Sequence, residues 1–322
     1  AYDIATIADT VSKADGGTFE ANVTFANGAD LLTASAGTDN VRLGEDAGAS
    51  IASGGNQNVL IGKDAGTANT TASNNVAIGY QALDANTTGG NSVAIGSGAL
   101  GAQTTGDRNI GIGTSAGEAI TTGQGSIAIG HQALASATTG DDNIAIGADS
   151  PTVNAALEAN TTGLQNVAVG GGALAANTTA SNNVAVGYSA LKANTTGHSN
   201  TAVGNLALDA ATTASYNNAF GKNALGAVTT GFGNVAIGEG TGLELTTGHA
   251  NVFIGSYTGS SEAAGRLSTG AQNTFIGQSS GSTMTTGNHN TILGRFNGNQ
   301  GGLDIRTSSN NIVLSDGQGN PR

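Results

Sequence analysis

The chain has 322 residues and a formal net charge of −12, with 53 glycines, 2 prolines and neither cysteine nor tryptophan. So much Gly, Ala, Thr and Asn excludes a conventional core of large side chains, although the length alone would allow two domains. The acidic balance disfavours nucleic acid and anionic membranes, and the missing thiols exclude disulfides and thiolate metal centres.

Disorder is the weaker alternative, because Val and Ile recur on a strict period instead of being depleted. No apolar run approaches a membrane span and no signal peptide is visible. Ala1 stands where an initiator Met is expected, as in a processed chain or a fragment.

In chain order, residues 1–16 read as a lead segment and 17–39 as a short β shaft unit. Residues 40–315 carry a repeat, and 316–322 form a tail. The phrase "NNVAIGYQALDANTTGG" (74–90) returns in altered copies, and the Gly closing its apolar triplet marks the period. Those glycines run from Gly44 through Gly62, Gly79 and Gly96 to Gly294, almost always 17 residues apart. Ser315 stands at the marker position of a last, degenerate copy. Such a period predicts stacked coils.

The triplet Val76-Ala77-Ile78 favours an extended conformation, with Val76 and Ile78 on one face and Ala77 on the other. Gly79 permits a bend, "ALDAN" reads as a second short extended piece, and "TTG" closes the coil. Sixteen such coils at the spacing of paired strands would reach roughly 75 Å. Insertions at 148–160 and 256–267 fall between bend and turn, and mark loops leaving the stack. The fold class predicted is all-β: a parallel β-solenoid (β-roll) of about sixteen 17-residue coils, packed or intertwined as a homotrimer.

The trimer expectation rests on the middle residue of the triplet. It is apolar throughout and grows from Ala77 and Ala94 into Phe253, Phe275 and Ile292. An apolar second face predicts a cover, and a second and third copy supply it. The Asn before each triplet (Asn58, Asn75, Asn109, Asn143) forms a column, broken by Ser92 and Ser126, that suits a hydrogen-bonded ladder. Residues after the marker Gly vary freely, which marks an exposed column. Tyr80, Gln81, His131, Tyr188, Tyr257 and Phe296 are the candidate receptor contacts on or beside it.

"NSVAIG" (91–96) resembles the head repeat of trimeric autotransporter adhesins, a left-handed β-roll of three chains whose coil is shorter than this one. The tandem "NVAIG…AL…NTTG" copies more closely resemble the repetitive distal regions of bacteriophage tail fibres. "VSKADGGTFEANVTFANG" (11–28) is similar to their "GGT…NVTF" shaft units, and "NNIVLSDGQGNPR" (310–322) to the segment leading into a C-terminal chaperone domain. The resemblance implies a homotrimeric fibre segment of the virion. Its partners would be itself, other tail proteins, and a host surface glycan or outer-membrane protein. A bacterial surface adhesin is the leading alternative.

Chemistry is sparse. "GSGALG" (96–101) fits a dinucleotide fingerprint literally but lacks a βαβ context. The acids Glu118, Asp141, Asp142, Glu158, Glu239, Glu244 and Glu262 have no recurring partner, so a glycan-degrading tailspike rests only on Glu158 and Glu262 in the insertions. The four histidines lack metal-ligand spacing. Paired Thr columns raise an ice-binding solenoid as a further alternative. No enzyme activity and no cofactor are expected.

Overall fold

The computed structural model describes residues 35–259 and 267–322. The lead segment 1–16 and most of the shaft unit 17–39 therefore lie outside the described residues, as does Glu262. Residues 35–322 form one unit. Its strands run from β1 (Val41–Leu43) to β15 (Thr291–Leu293), each three residues long and one per coil. β16 (Asn299–Gln300) and β17 (Leu303–Asp304) make a small antiparallel hairpin, and β18 (Ile312–Leu314) closes the series. β1 to β15 and β18 form one 16-stranded parallel sheet in sequence order, with identical triplet positions in register, Ala77 opposite Ala94 and so on. The predicted solenoid is thus the observed fold.

The rest of each coil carries hydrogen bonds between neighbours as well. Gln81 N–H donates to Lys63 O at 3.0 Å, Leu83 N–H to Ala99 O at 3.0 Å, and Thr87 N–H to Thr104 O at 2.9 Å. The "ALDAN" segment is not a second strand. Gln81 and Leu83 hold left-handed backbone, φ 53° and 55°, so the chain corners there instead of extending. At the other bend a Cβ on Gly79 (φ 139°) would meet Gly96 O at 2.5 Å, which keeps that corner glycine.

The core lies on the opposite face of the strand from the one expected. Ala77 and Ala94 are fully buried inside their own coils, as are Phe253, Phe275 and Ile292, so none of these five is available to pack another chain. Val76 and Ile78 face outward instead. The cause is width, because a 17-residue coil has room for one middle side chain plus one from the corner across the interior.

That corner residue sits six positions after the middle one. Ala77 is matched by Leu83, Ala94 by Leu100 and Ala185 by Leu191, all fully buried. Where the middle residue is large, the corner is glycine: Leu60 with Gly66, Phe253 with Gly259, Phe275 with Gly281. A Cβ on Gly66 would meet Leu60 Cδ2 at 2.9 Å, and one on Gly259 would meet the Phe253 ring at 3.3 Å. Volume is conserved within each of these pairs, and where both members are small, as at Ala236 with Gly242, side chains of the neighbouring coils, Leu225 and Phe253, reach into the space. Growth of the middle residue toward Phe is therefore internal repacking. Left-handed backbone costs a Leu about 1–2 kcal/mol, and full burial of its side chain returns about 1.5–3 kcal/mol.

The Asn column is a continuous buried ladder. Asn217 donates its N–H to Asn200 Oδ1 at 3.0 Å and its Nδ2 to Gly231 O at 2.9 Å. Its own Oδ1 accepts from Asn234 N–H at 3.0 Å and Asn234 Nδ2 at 2.9 Å. Where Ser92 replaces Asn, its Oγ accepts from Asn109 N–H at 3.2 Å, and Gln103 bridges Ser92 Oγ at 3.2 Å and Asn109 Nδ2 at 3.0 Å. Asn217→Ala would leave the Asn234 N–H and Gly231 O buried and unpaired. A loss of about 2–5 kcal/mol is expected in denaturant titration, with Asn217→Ser costing less.

The tail turns back on β18, Arg322 N–H donating to Leu314 O at 2.8 Å. Asp316 organises the turn. It accepts from the backbone of Asn320 at 2.9 Å and of Gln318 at 3.0 Å, and from the Arg322 guanidinium at 2.6 Å. The Asn320 backbone bond, with these others, lowers its carboxyl to about 2. A depressed acid stabilises the fold above its unfolded value and ceases to as pH falls through the folded one. Amide protection at 316–322, taken relative to the unfolded chain at the same pH, is expected to fall between pH 4 and pH 2, while the coils stay protected.

Candidate functional site

Each strand turns its first and third residues outward, and in register these stack into two columns along the sheet. The first is mostly Val, Ile or Thr but with Asn218, and the third is apolar throughout, mostly Ile or Val with Leu43, Phe220, Leu293 and Leu314. Ile95, Ile112, Ile146, Val186, Phe220, Ile237, Ile276 and Leu293 each remain 36–42 % exposed. No outward residue of β2 to β15 is charged. The strip is about 75 Å by 10 Å, close to the ~800 Å² that each partner contributes to a standard protein interface. Hydrophobic alternation gave no warning of it, since both strand faces are apolar.

One flank of this strip is the variable column. Tyr80 and Tyr188 are half-exposed there, at 50 % and 49 %. His131 is exposed and pairs through Nδ1 with Asp149 Oδ1 of the insertion. Gln81 is half-buried at the left-handed corner, and Tyr257 is half-buried against Gly240, whose added Cβ would meet its ring at 2.8 Å. Phe296 is fully buried. It helps fill the end of the core beside Met284 and Ile305, where the β16–β17 hairpin replaces the regular corner, and is thereby removed as a contact residue. Charges in the column pair between neighbouring coils, Lys63 with Glu45 at 2.6 Å and Lys222 with Glu239 at 3.6 Å. Such exposed pairs add little stability.

The other flank is the turn after Thr-Thr-Gly. Most often a Ser, Asp or Asn there accepts the turn N–H of the coil before it. Gly90 N–H donates to Asp107 Oδ1 at 2.6 Å, Leu164 N–H to Ser181 Oγ at 2.9 Å, and His198 N–H to Ser215 Oγ at 3.1 Å. Over four neighbouring coils rings occupy this edge. His198 meets Tyr216 edge-to-face at 4.8 Å, and Phe232 stacks on His249 at 4.8 Å and 9°.

The carboxylates remain dispersed. Glu158 uses one oxygen to accept the Ala155 N–H at 2.9 Å, closing the first insertion. Asp209 and Glu244 line a shallow groove with Asn223, Thr246 and Ser268, and burial pushes the Asp209 carboxyl above its ordinary range. Among the described residues no three His, Cys, Asp or Glu side chains lie close enough to share a metal ion. Compared with protein-family models, with curated proteins and with solved structures, the chain matches none.

Proposed function

We propose that the chain is a structural segment of an adhesive fibre, of the kind found in phage tail fibres, and that it assembles as a homotrimer to reach and contact a host surface. The observation that carries this is the uncharged, largely apolar strip along the sheet. A monomer rarely leaves so long an apolar surface in water, and its length and area suit a second copy of equal length. Its regularity favours identical partners, because every rung of one chain then meets an equivalent rung. The number three comes from the resemblance to trimeric fibres.

Reach follows from the ladder of backbone and Asn hydrogen bonds, which ties each coil to the next. Recognition falls to the flanks, where the repeat relaxes. The extracellular virion is the corresponding location. Light scattering on the purified chain tests the assembly: three times 31.1 kDa is expected, and a stable species of 31.1 kDa would oppose it.

A further inference from the structure

We propose that the ring-bearing edge formed by His198, Tyr216, Phe232 and His249 is a binding site for a neutral saccharide chain. The inference rests on the surface-recognition reading above and gives that recognition a place and a ligand class.

Two independent departures from the repeat coincide here. The first is the rings, with Tyr216 57 % and Phe232 50 % exposed. The second is a gap in the hydrogen-bond ladder of the turns. Phe232, His249 and Ala271 occupy three successive capping positions, so the N–H groups of Ser215, Phe232 and His249 receive no side-chain acceptor. The ladder resumes at once, Ala271 N–H donating to Asn288 Oδ1 at 2.7 Å and Asn288 N–H to Ser309 Oγ at 3.0 Å. Elsewhere among the described residues an uncapped turn is followed by a capped one. A sequence that abandons its own local rule only at one place marks that place as a site.

The chemistry selects the ligand. Aromatic faces suit the C–H faces of pyranose rings, and backbone amides without a side-chain acceptor and imidazole nitrogens suit hydroxyls. The residues flanking the Phe232–His249 stack at the capping position are Ser215 and Ala271, too small to cover its outer faces. From Leu164 to Asn288 the two residues after each Thr-Thr-Gly or equivalent turn include no Asp, Glu, Lys or Arg, so nothing there calls for a charged ligand. Four coils span about 15 Å, enough for about three sugar rings and too narrow for a protein partner needing ~800 Å².

Saturation-transfer NMR on the full chain, with the neutral hexaoses of α-1,4-glucose, β-1,4-glucose, β-1,4-mannose and β-1,4-N-acetylglucosamine as probes, tests the site. At least one hexaose is expected to receive magnetisation at its ring C–H protons. Phe232→Ser with His249→Ser restores the repeat's own caps. It should weaken that hexaose at least tenfold while the melting temperature holds or rises. Tyr80→Ala, on the opposite flank of the strip, should leave binding within twofold. Transfer to none of the four, transfer surviving the double Ser variant, or a lower melting temperature in that variant would each overturn the proposal, the last by assigning the rings to the chain's own cohesion. The fibre reading fails separately, in the chain's mass.

Discussion

Phe275→Ala is expected to destabilise the C-terminal coils by about 3–5 kcal/mol, the cost of an unfilled cavity where an aromatic side chain stood. Gly281→Leu alone is expected to cost about 1–3 kcal/mol through overpacking, because any Cβ at Gly281 drives into the Phe275 ring. Combined, the two changes recreate the Ala–Leu pair that fills half of the coils, such as Ala77 with Leu83, and most of the loss should return. The backbone already accommodates the exchange, since Gly281 has φ 63° and Leu225 has φ 53° at the same corner. Hydrogen exchange on all three variants measures the coupling; simple additivity would show that the two positions do not share one volume. Phe253 should respond less independently, because its ring stacks on Phe275 at 5.3 Å.

Ile95→Glu with Ile146→Glu is expected to turn the proposed homotrimer into monomers without unfolding the coils. Both side chains face outward, 36 % and 37 % exposed, on β4 (Val93–Ile95) and β7 (Ile144–Ile146). In a lone chain the carboxylates would remain in water. In an assembly closed over the sheet each would be buried without a partner, at a cost of several kcal/mol per charge. Sedimentation should show the mass falling to that of one chain while the thermal transition of the solenoid stays in place. An unchanged assembly mass would remove the sheet from the interface.

Much of the fold was legible in residues that recur. The spacing of Gly44 to Gly294, the β-branched triplets and the Asn column specify coils, strands and a ladder, because each is a covalent pattern with one physical solution. The orientation of the strand was not legible by alternation, since Val76, Ala77 and Ile78 are all apolar. Placing the two larger residues inside gave a core too wide for the coil. The readable signal was the reciprocal change six residues apart, Phe253 with Gly259 and Phe275 with Gly281 against Ala77 with Leu83. The second extended piece failed for another reason. Gln81 and Leu83 take left-handed backbone without Gly or Asn, so local propensity carries no trace of it.

The surfaces were legible in part. Tyr80, Tyr188 and His131 are exposed as the free column implied. Phe296 is drawn into the core where the repeat ends, and its place beside that column could not show this. The ring-bearing edge escaped notice because its residues alternate between two adjacent positions, 198, 232 and 249 in one and 216 in the other. Only the stacked coils bring them into line.

The chain contains no cysteine, so a single introduced thiol reports its own surroundings. Mild oxidation of Ile95→Cys, compared with Thr88→Cys on the exposed Thr-Thr turn, tests most directly whether copies meet through the sheet. The account predicts a disulfide-linked dimer band from Ile95→Cys and none from Thr88→Cys at equal concentration. Crosslinking through position 88 in place of 95, or no crosslink from either in a chain that sediments as a monomer, would contradict it.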